Sequence, residues 1–243
     1  MDNSTYEIEA QIEEQHWWFV GRRKLFSSII RALAIPATAK ILDLGTSTGT
    51  NLRMLRDLGF TNVRGLDFCE EAIHWCREKG LGQVDQGDIC DIPSQDNVYD
   101  LVLATDVIEH VEDDNKAISE AYRVLKPGGV AIVTVPAFSF LWGIQDSVSH
   151  HKRRYTRGQL ENILTGAGFR LIDIYYFNYV LFIPIWFVRR ALMFFPIRMK
   201  SENQLNTSFL NAILRYVFFV DIYTAKKINP RFGVSILALG IRD

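Results

Sequence analysis

The chain has 243 residues, 27 Lys and Arg against 28 Asp and Glu, and 48% hydrophobic residues. That is the composition of a folded globular protein, not of a disordered, collagen-like or disulfide-stapled one, and its length suits one large domain with an insertion. A net charge of −1 excludes the broad basic surface that nucleic-acid binding needs, and Cys69, Cys76 and Cys90, without metal-ligand spacing, fit a reduced, cytoplasmic setting.

The opening stretch, MDNSTYEIEAQIEEQHWW, is too acidic and polar for a signal peptide. Residues 7–33 carry a helical pattern, broken near Gly21, with Trp17, Trp18 and Phe19 in its middle. From Lys40 strands and helices alternate. KILDL is a short apolar strand, TNLRMLRDLG a helix stopped by Gly59, VRGLD a second strand, and EEAIHWCREKG a helix with Gly80 just past its end. A third strand falls near residues 83–86. The β-rich run YDLVLAT, the helix DDNKAISEAYRVL and the strand GVAIVTV follow, with Lys126-Pro127-Gly128-Gly129 as the helix stop. This alternation implies βαβ crossovers and a parallel sheet covered on both faces. Residues 136–149 then read as a loop, HHKRRY as a basic cluster, TRGQLENILTGAG as a helix and FRLIDIYYF as a sixth strand. Two apolar helical stretches, 179–199 and 207–227, precede the last strand, SILALGI.

Sheets of this kind bind ligands beyond the carboxyl ends of their strands. The first strand ends in Asp43-Leu44-Gly45-Thr46-Ser47-Thr48-Gly49. A dinucleotide fingerprint would need glycine at positions 47 and 50, where Ser47 and Thr50 stand, so a nucleotide-dependent oxidoreductase is disfavoured. A G-x-x-x-G turn still admits a ligand without phosphates. Asp67 lies 24 residues after Asp43, where a carboxylate accepts both hydroxyls of a ribose, and Asp88 lies 21 residues further on. Each has a plainer reading: glycines that only make a tight turn, Asp67 as a helix cap, Asp88 as a solvated acid.

Together, ILDLGTSTGTN, GLD, QGDI, YDLVLATDVIEHV and LKPGGVAIVTVP resemble, in order and spacing, the motifs of class I S-adenosylmethionine-dependent methyltransferases, over residues 40–136. The resemblance implies an α/β fold, Rossmann-like and doubly wound, with a mostly parallel seven-stranded sheet. It implies S-adenosyl-L-methionine as cofactor, with Asp43, Gly45 and Gly49 bordering its methionine portion, Asp67 at the ribose, and Asp88 and Ile89 at the adenine. Thr46, Ser47, Asn51, Phe68, Thr105 and Trp18 complete the contacts it implies; Ser47 stands where the family commonly has glycine. EQHWWFVGRR, HHKRRYT, GAGF and FGVSILALGIR are similar to a bacterial subgroup whose substrates are largely unassigned. That extends the likeness over most of the chain and implies an N-terminal helical lid. His16, Trp17, Trp18 and Phe19 would border the site, with Arg22 or Arg23 near an anionic group; core packing is the plainer account of the aromatics. The expected organisation is a single domain of lid (1–35), cofactor-binding core (36–178), helical insertion (179–230) and last strand (231–243).

Methyl transfer from a sulfonium is an in-line displacement that depends on proximity and orientation, and it needs a base only where the acceptor sheds a proton. His150 and His151 titrate in the useful range and, with Glu109 and His110, form the candidate catalytic set. A basic solvated loop is the alternative for HHKRR. The D-x-x-E-H spacing of Asp106, Glu109 and His110 resembles the metal-binding E-x-x-E-H of small-RNA 3′-end and ubiquinone-pathway O-methyltransferases. With His150 it gives a divalent-metal option, set below a metal-free reaction in which Glu109 and His110 orient the loop.

In residues 179–200, 16 of 22 are hydrophobic, yet Arg189 and Arg190 sit at the centre and Pro184 and Pro196 interrupt the run, which argues against a membrane span. The readings left are a lid over an apolar acceptor, a peripheral membrane contact, a homodimer surface, or packing against 207–227. Arg189, Arg190, Arg198 and Lys200 would suit anionic headgroups or keep the helix soluble. The expected function is methylation of a small or lipid-like acceptor, at oxygen, with a histidine base. A non-catalytic cofactor-binding regulatory module is the competing class.

Overall fold

A computed structural model of the chain describes residues 3–194 and 207–243. Among them one seven-stranded sheet runs in the order β3-β2-β1-β4-β5-β7-β6. Its strands are β1 (Lys40–Leu44), β2 (Asn62–Asp67), β3 (Val84–Gln86), β4 (Tyr99–Thr105), β5 (Leu125–Pro136), β6 (Phe169–Phe177) and β7 (Ser235–Arg242). The first five are parallel to one another, and β7 enters antiparallel between β5 and β6. The chain order reverses at β1, so the crevice above β1 and β4 is where such a sheet takes its ligand.

Strand sequences that alternate apolar side chains between two faces need both faces covered. Ile41, Leu101, Leu103, Ile132 and Leu237 belong to one core, with α2 (Trp17–Leu33), α3 (Thr50–Asp57), α4 (Glu70–Glu78) and α9 (Ser208–Ile228). Leu42, Val102, Ala104, Val133 and Ile236 belong to the other, with α5 (Asp114–Val124) and α7 (Arg157–Gly166). The remaining helices are α1 (Asn3–Ile12), α6 (Ile144–Val148) and α8 (Phe182–Phe194).

Three elements depart from the sequence expectation. The N-terminal helix breaks at residues 13–16, not near Gly21. His16 caps α2 with its side chain and accepts from the Trp18 amide, while Gly21 lies inside α2 against Phe218. Gly21 is there for room: a Cβ would sit 2.1 Å from Phe218 Cδ1. β5 begins at Leu125, ahead of the Pro-Gly-Gly stop, with a register shift opposite Tyr99. The 136–149 loop contains the short α6. The insertion forms α8 and α9; Pro196, Arg198 and Lys200 lie outside the described residues. Among the described residues no helix is long and apolar enough to cross a membrane.

α9 is tied to the sheet by polar groups. Asp221, fully buried, accepts the amides of Asn178 at 2.7 Å and Val180 at 2.8 Å, and so fixes the exit of β6. Asn211 accepts the Trp17 amide at 2.7 Å and donates to the Gln15 carbonyl at 2.8 Å, which satisfies the first turn of α2.

Candidate active site

The turn after β1 is shaped by close approach. Gly45 (φ +67°) and Gly49 (φ +87°) are left-handed, and a Cβ on either would meet Val107 Cγ2 at 2.3 Å or Leu81 Cδ1 at 2.5 Å. Ser47 takes φ +50°, a conformation that favours glycine, so the residue at the family's usual glycine position keeps a glycine-like backbone. Asp43, next to last in β1, is fully buried. Its Oδ1 accepts from Asn51 Nδ2 at 2.9 Å, the same amide reaches Thr105 Oγ1 at 3.0 Å, and Oδ2 has no partner. Burial raises the Asp43 carboxyl to about 7, with the Asp67 charge adding to the shift.

Asp67, at the end of β2, accepts the Ser47 amide at 2.8 Å and the Cys69 amide at 2.9 Å, and burial raises its pKa. It therefore ties the glycine turn to β2 and caps the chain entering α4. Phe68 beside it is 77% exposed, an open apolar face at the strand edge. Thr46 is buried and bonded to the Asp43 carbonyl. Asp88 is exposed and closes a turn by accepting the Cys90 amide at 2.8 Å, while Ile89 packs in the core on the α5 side.

The residues expected to form a lid divide. Trp17 and Trp18 pack with Phe218, and Trp18 lies parallel to Phe177 with ring centroids 6.2 Å apart, so the aromatic run serves the α2–α9 interface. Phe19 is buried. His16 is buried as well, and desolvation lowers it to about 4. Arg22 pairs with Asp106 of the chain itself at 2.8 Å, over Trp18 and Phe26. Arg23 instead holds the Glu13 carbonyl at 2.6 Å and Thr50 Oγ1 at 2.9 Å.

Sequence reading passed over the residues that close the crevice. α1 carries Glu9, one turn before Glu13, and both lie on the glycine turn. Glu9 accepts from Ser47 Oγ at 3.3 Å. Glu13 is fully buried, accepts from Thr48 Oγ1, and pairs with Arg53 and Lys79, each at 2.7 Å. Tyr6 is buried, and desolvation beside the Asp67 carboxylate pushes its hydroxyl up. Glu9, also buried, is raised to about 7 by desolvation. The i,i+4 spacing of Glu9 and Glu13 was the available signal.

Beyond β4 a second cluster forms. Asp106 takes φ +53°, and Glu109 is fully buried with neither carboxylate oxygen hydrogen-bonded. Burial raises the Glu109 pKa, with Asp106 adding to it. His110 and His151 meet edge to face, ring centroids 4.7 Å apart, and burial lowers His110 to about 3. His151 Nδ1 lies 2.8 Å from Asp146 Oδ1, which leaves Nε2 facing Glu109 Oε1 at 3.9 Å. Asp146, in α6, was missed in the sequence; it also accepts the Gly143 amide and is flanked by Arg154 and Arg189 at 3.5 and 3.6 Å. Burial opposes its ionisation, but the His151 bond and the two guanidiniums outweigh it and hold its pKa low.

This corrects the metal-ligand set expected from sequence. Glu109, His110 and His151 lie with donor atoms within 4.8 Å of one another, while Asp106 is taken by Arg22. His150 is exposed at φ +55° and lies outside that group. Arg189 is a further correction. Its Nη1 donates to the Leu141 carbonyl at 2.6 Å, and Arg190 reaches the Phe140 carbonyl at 2.8 Å, so both pin α8 to the loop that holds Asp146.

The glycine turn at the switch point, the acid at the end of β2 and the acid–histidine cluster after β4 all lie at the carboxyl ends of the strands, where such a sheet takes its ligand. Residues 42–133 match the family model described as a methyltransferase domain. The chain is 28% identical over 166 residues to a probable S-adenosylmethionine-dependent methyltransferase of Mycolicibacterium smegmatis, covering 67% of this chain and 63% of that protein, somewhat under two thirds of its length. It is 27% identical to the ubiquinone/menaquinone biosynthesis C-methyltransferase UbiE of Desulfotalea psychrophila, covering 60% of this chain and 71% of that one. An S-adenosylmethionine-dependent methyltransferase of Thermotoga maritima has the same fold, with a TM-score of 0.60 and 18% identity over 99% of this chain and 96% of that one. Residues 42–133 are thus a methyltransferase domain, in a chain similar to S-adenosylmethionine-dependent methyltransferases.

Proposed function

We propose that the protein transfers the S-adenosylmethionine methyl group to an oxygen of a lipid-like acceptor. The acceptor oxygen attacks the methyl carbon, the carbon–sulfur bond breaks, and its electron pair stays on sulfur as a neutral thioether. The acceptor's proton leaves at the Glu109–His110–His151 cluster, which stands past β4 next to the Arg22–Asp106 pair. Asp43, the Gly45–Gly49 turn and Asp67 hold the cofactor.

One observation carries the choice of acceptor. Ile183 (63%) and Phe187 (67%) on α8, and Phe209 (79%), Tyr216 (72%) and Tyr223 (60%) on α9, are exposed. Ile183 and Phe187 stand four residues apart, and Phe209, Ile213, Tyr216, Val220 and Tyr223 three or four apart, so each helix turns an apolar face to solvent. Such a face suits an acceptor with a long apolar tail, or the membrane that carries it. The relative from D. psychrophila, which by name serves ubiquinone and menaquinone biosynthesis, supports a prenylated acceptor.

The test supplies the purified protein with methyl-labelled cofactor and a prenylated hydroquinone in phospholipid vesicles, and follows the label into the organic phase. The expected product is a methyl ether, lost in Phe187→Glu while S-adenosylhomocysteine binding persists. Label on a ring carbon would overturn the oxygen assignment. Full turnover in Phe187→Glu would overturn the role of the apolar face.

A further inference from the structure

The exposed apolar side chains are concentrated on one pair of helices. Of the 16 large hydrophobic residues exposed among the described residues, 13 lie between Val180 and Phe232, on α8, α9 and their flanks. On α9 the exposed residues Phe209, Ile213, Tyr216, Val220 and Tyr223 form a single stripe, and the next step of four along it is Lys227. The other side of α9 presents Phe218, Ile222 and Ala225, all buried in the core. A helix apolar on both sides belongs where both sides leave water, and α9 has only one side covered. α8 repeats the arrangement. Ile183 and Phe187 point outward, while Arg189 and Arg190 turn back to the carbonyls of Leu141 and Phe140.

Charge narrows the occupant. Residues 179–232 hold eight Lys and Arg against two Asp and Glu, so they carry +6 while the rest of the chain carries −7. One of the two acids, Asp221, is fully buried. Lys227 and Arg231, at the C-terminal end of the stripe, are exposed, and among the described residues neither pairs with an acid. A two-fold contact with a second copy would bring one positive patch against another. A lipid surface with anionic headgroups complements both parts: the acyl boundary takes the stripe and the headgroups take the cations. Trp186, Tyr216 and Tyr223, all exposed, are of the side-chain types that favour this boundary. We infer that the outer face of α8 and α9 is a docking surface for an anionic membrane, with both helices lying in the plane of the interface. Arg189 stands 3.6 Å from Asp146, which holds His151 beside Glu109, so a docked α8 sets the acid–histidine cluster next to the lipid. Only the delivery of an acceptor from that lipid rests on the methyl-transfer reading; the attachment does not.

The experiment sediments the purified chain with vesicles of phosphatidylcholine alone, or with about a third phosphatidylglycerol, without cofactor or acceptor. Binding to the anionic vesicles is expected, weakening as salt is raised, with the neutral ones at least about tenfold weaker. Tyr216→Glu, at a side chain 72% exposed, should abolish sedimentation. Replacing Lys227 and Arg231 together with Ala should weaken it by about 25-fold, about fivefold for each cation. Phe68→Glu changes an equally exposed apolar residue beyond β2 and should sediment like the parent. Circular dichroism confirms that each variant is folded, and gel filtration gives its oligomeric state. Absence of sedimentation, or unchanged sedimentation of folded Tyr216→Glu, overturns the surface. Equal affinity for neutral vesicles overturns the choice of an anionic membrane. A parent dimer that dissociates in Tyr216→Glu gives the face to a second copy and overturns the inference. Sedimentation without methyl transfer to the prenylated hydroquinone would count against the acceptor reading alone.

Discussion

Glu9→Gln is the most direct probe of how α1 closes on the glycine turn. The groups around Glu9 are Ser47 as donor, Arg22 from α2, Glu13 just past the end of α1, and Lys79 after α4. Burial dominates and lifts its pKa from 4.5 to about 7. A folded-state pKa above the unfolded one means the native protein binds this proton more tightly. The associated stability is therefore complete below pH 4.5 and is lost as pH rises through about 7. At about 1.4 kcal/mol per pH unit, the displacement sets a ceiling of about 3 kcal/mol on that loss. Glutamine stays neutral, fills the same volume and keeps an acceptor for Ser47, so the variant does not share the loss. Asp43, Asp67 and Glu109 are raised as well, but they are common to both proteins and cancel in the difference. Urea unfolding followed by tryptophan fluorescence at pH 5, 6, 7 and 8 gives that difference directly. The parent should lose up to about 3 kcal/mol more than the variant between pH 5 and 8. If α1 undocks first, the loss stops at its docking energy, and amide exchange within residues 3–12 should quicken in the parent alone. Parallel stability curves with unchanged exchange would refute the reasoning.

Two further substitutions separate packing from binding. Gly21→Ala should gain up to about 1 kcal/mol from helix propensity, but overpacking a full core costs about 1–3 kcal/mol. The new Cβ would meet the fully buried Phe218 ring at 2.1 Å, so a lower melting temperature is expected, and a higher one would show that α9 yields at no cost. Asp67→Ala removes the acceptor that ties the Ser47 and Cys69 amides to β2. Calorimetry with S-adenosylhomocysteine should show affinity at least about tenfold weaker, the equivalent of 1.4 kcal/mol; unchanged affinity would remove Asp67 from the site.

The core of the fold was legible because its signals are local. KILDL and YDLVLAT are continuous apolar strands, and their alternate residues enter opposite cores, as a doubly covered sheet requires. The glycine turn was legible for the same reason, since five residues carry it. What escaped reading depends on partners far along the chain. Glu9 and Glu13 look solvated until residues 47, 48, 53 and 79 arrive beside them. Gly21 resembles a helix breaker until Phe218, almost 200 residues on, fills the space its hydrogen leaves. His150 and His151 are indistinguishable as letters. A left-handed backbone at one and the Asp146 bond at the other decide which imidazole joins Glu109. Arg189 and Arg190 were read as headgroup or solubility charges, because nothing in the helix shows that carbonyls of residues 140 and 141 lie within their reach.

The charges of the crevice fit the ligand rather than the fold. Glu9, Asp43, Asp67 and Glu109 are all buried with raised pKa, and Arg22 is the guanidinium whose charge reaches Glu9, Asp43 and Glu109 and pairs with Asp106. Hydrophobic side chains of equal volume would hold the same sheet more cheaply, since removing carboxylates from water opposes folding. S-adenosylmethionine brings a sulfonium and an ammonium to such a place, and each positive charge favours an ionised carboxylate beside it. The thioether product has lost the sulfonium charge, so the acids that favour the substrate favour the product less. Ser47 and Thr48, which border the turn, are bonded to α1, so a ligand that reaches them must take over those bonds.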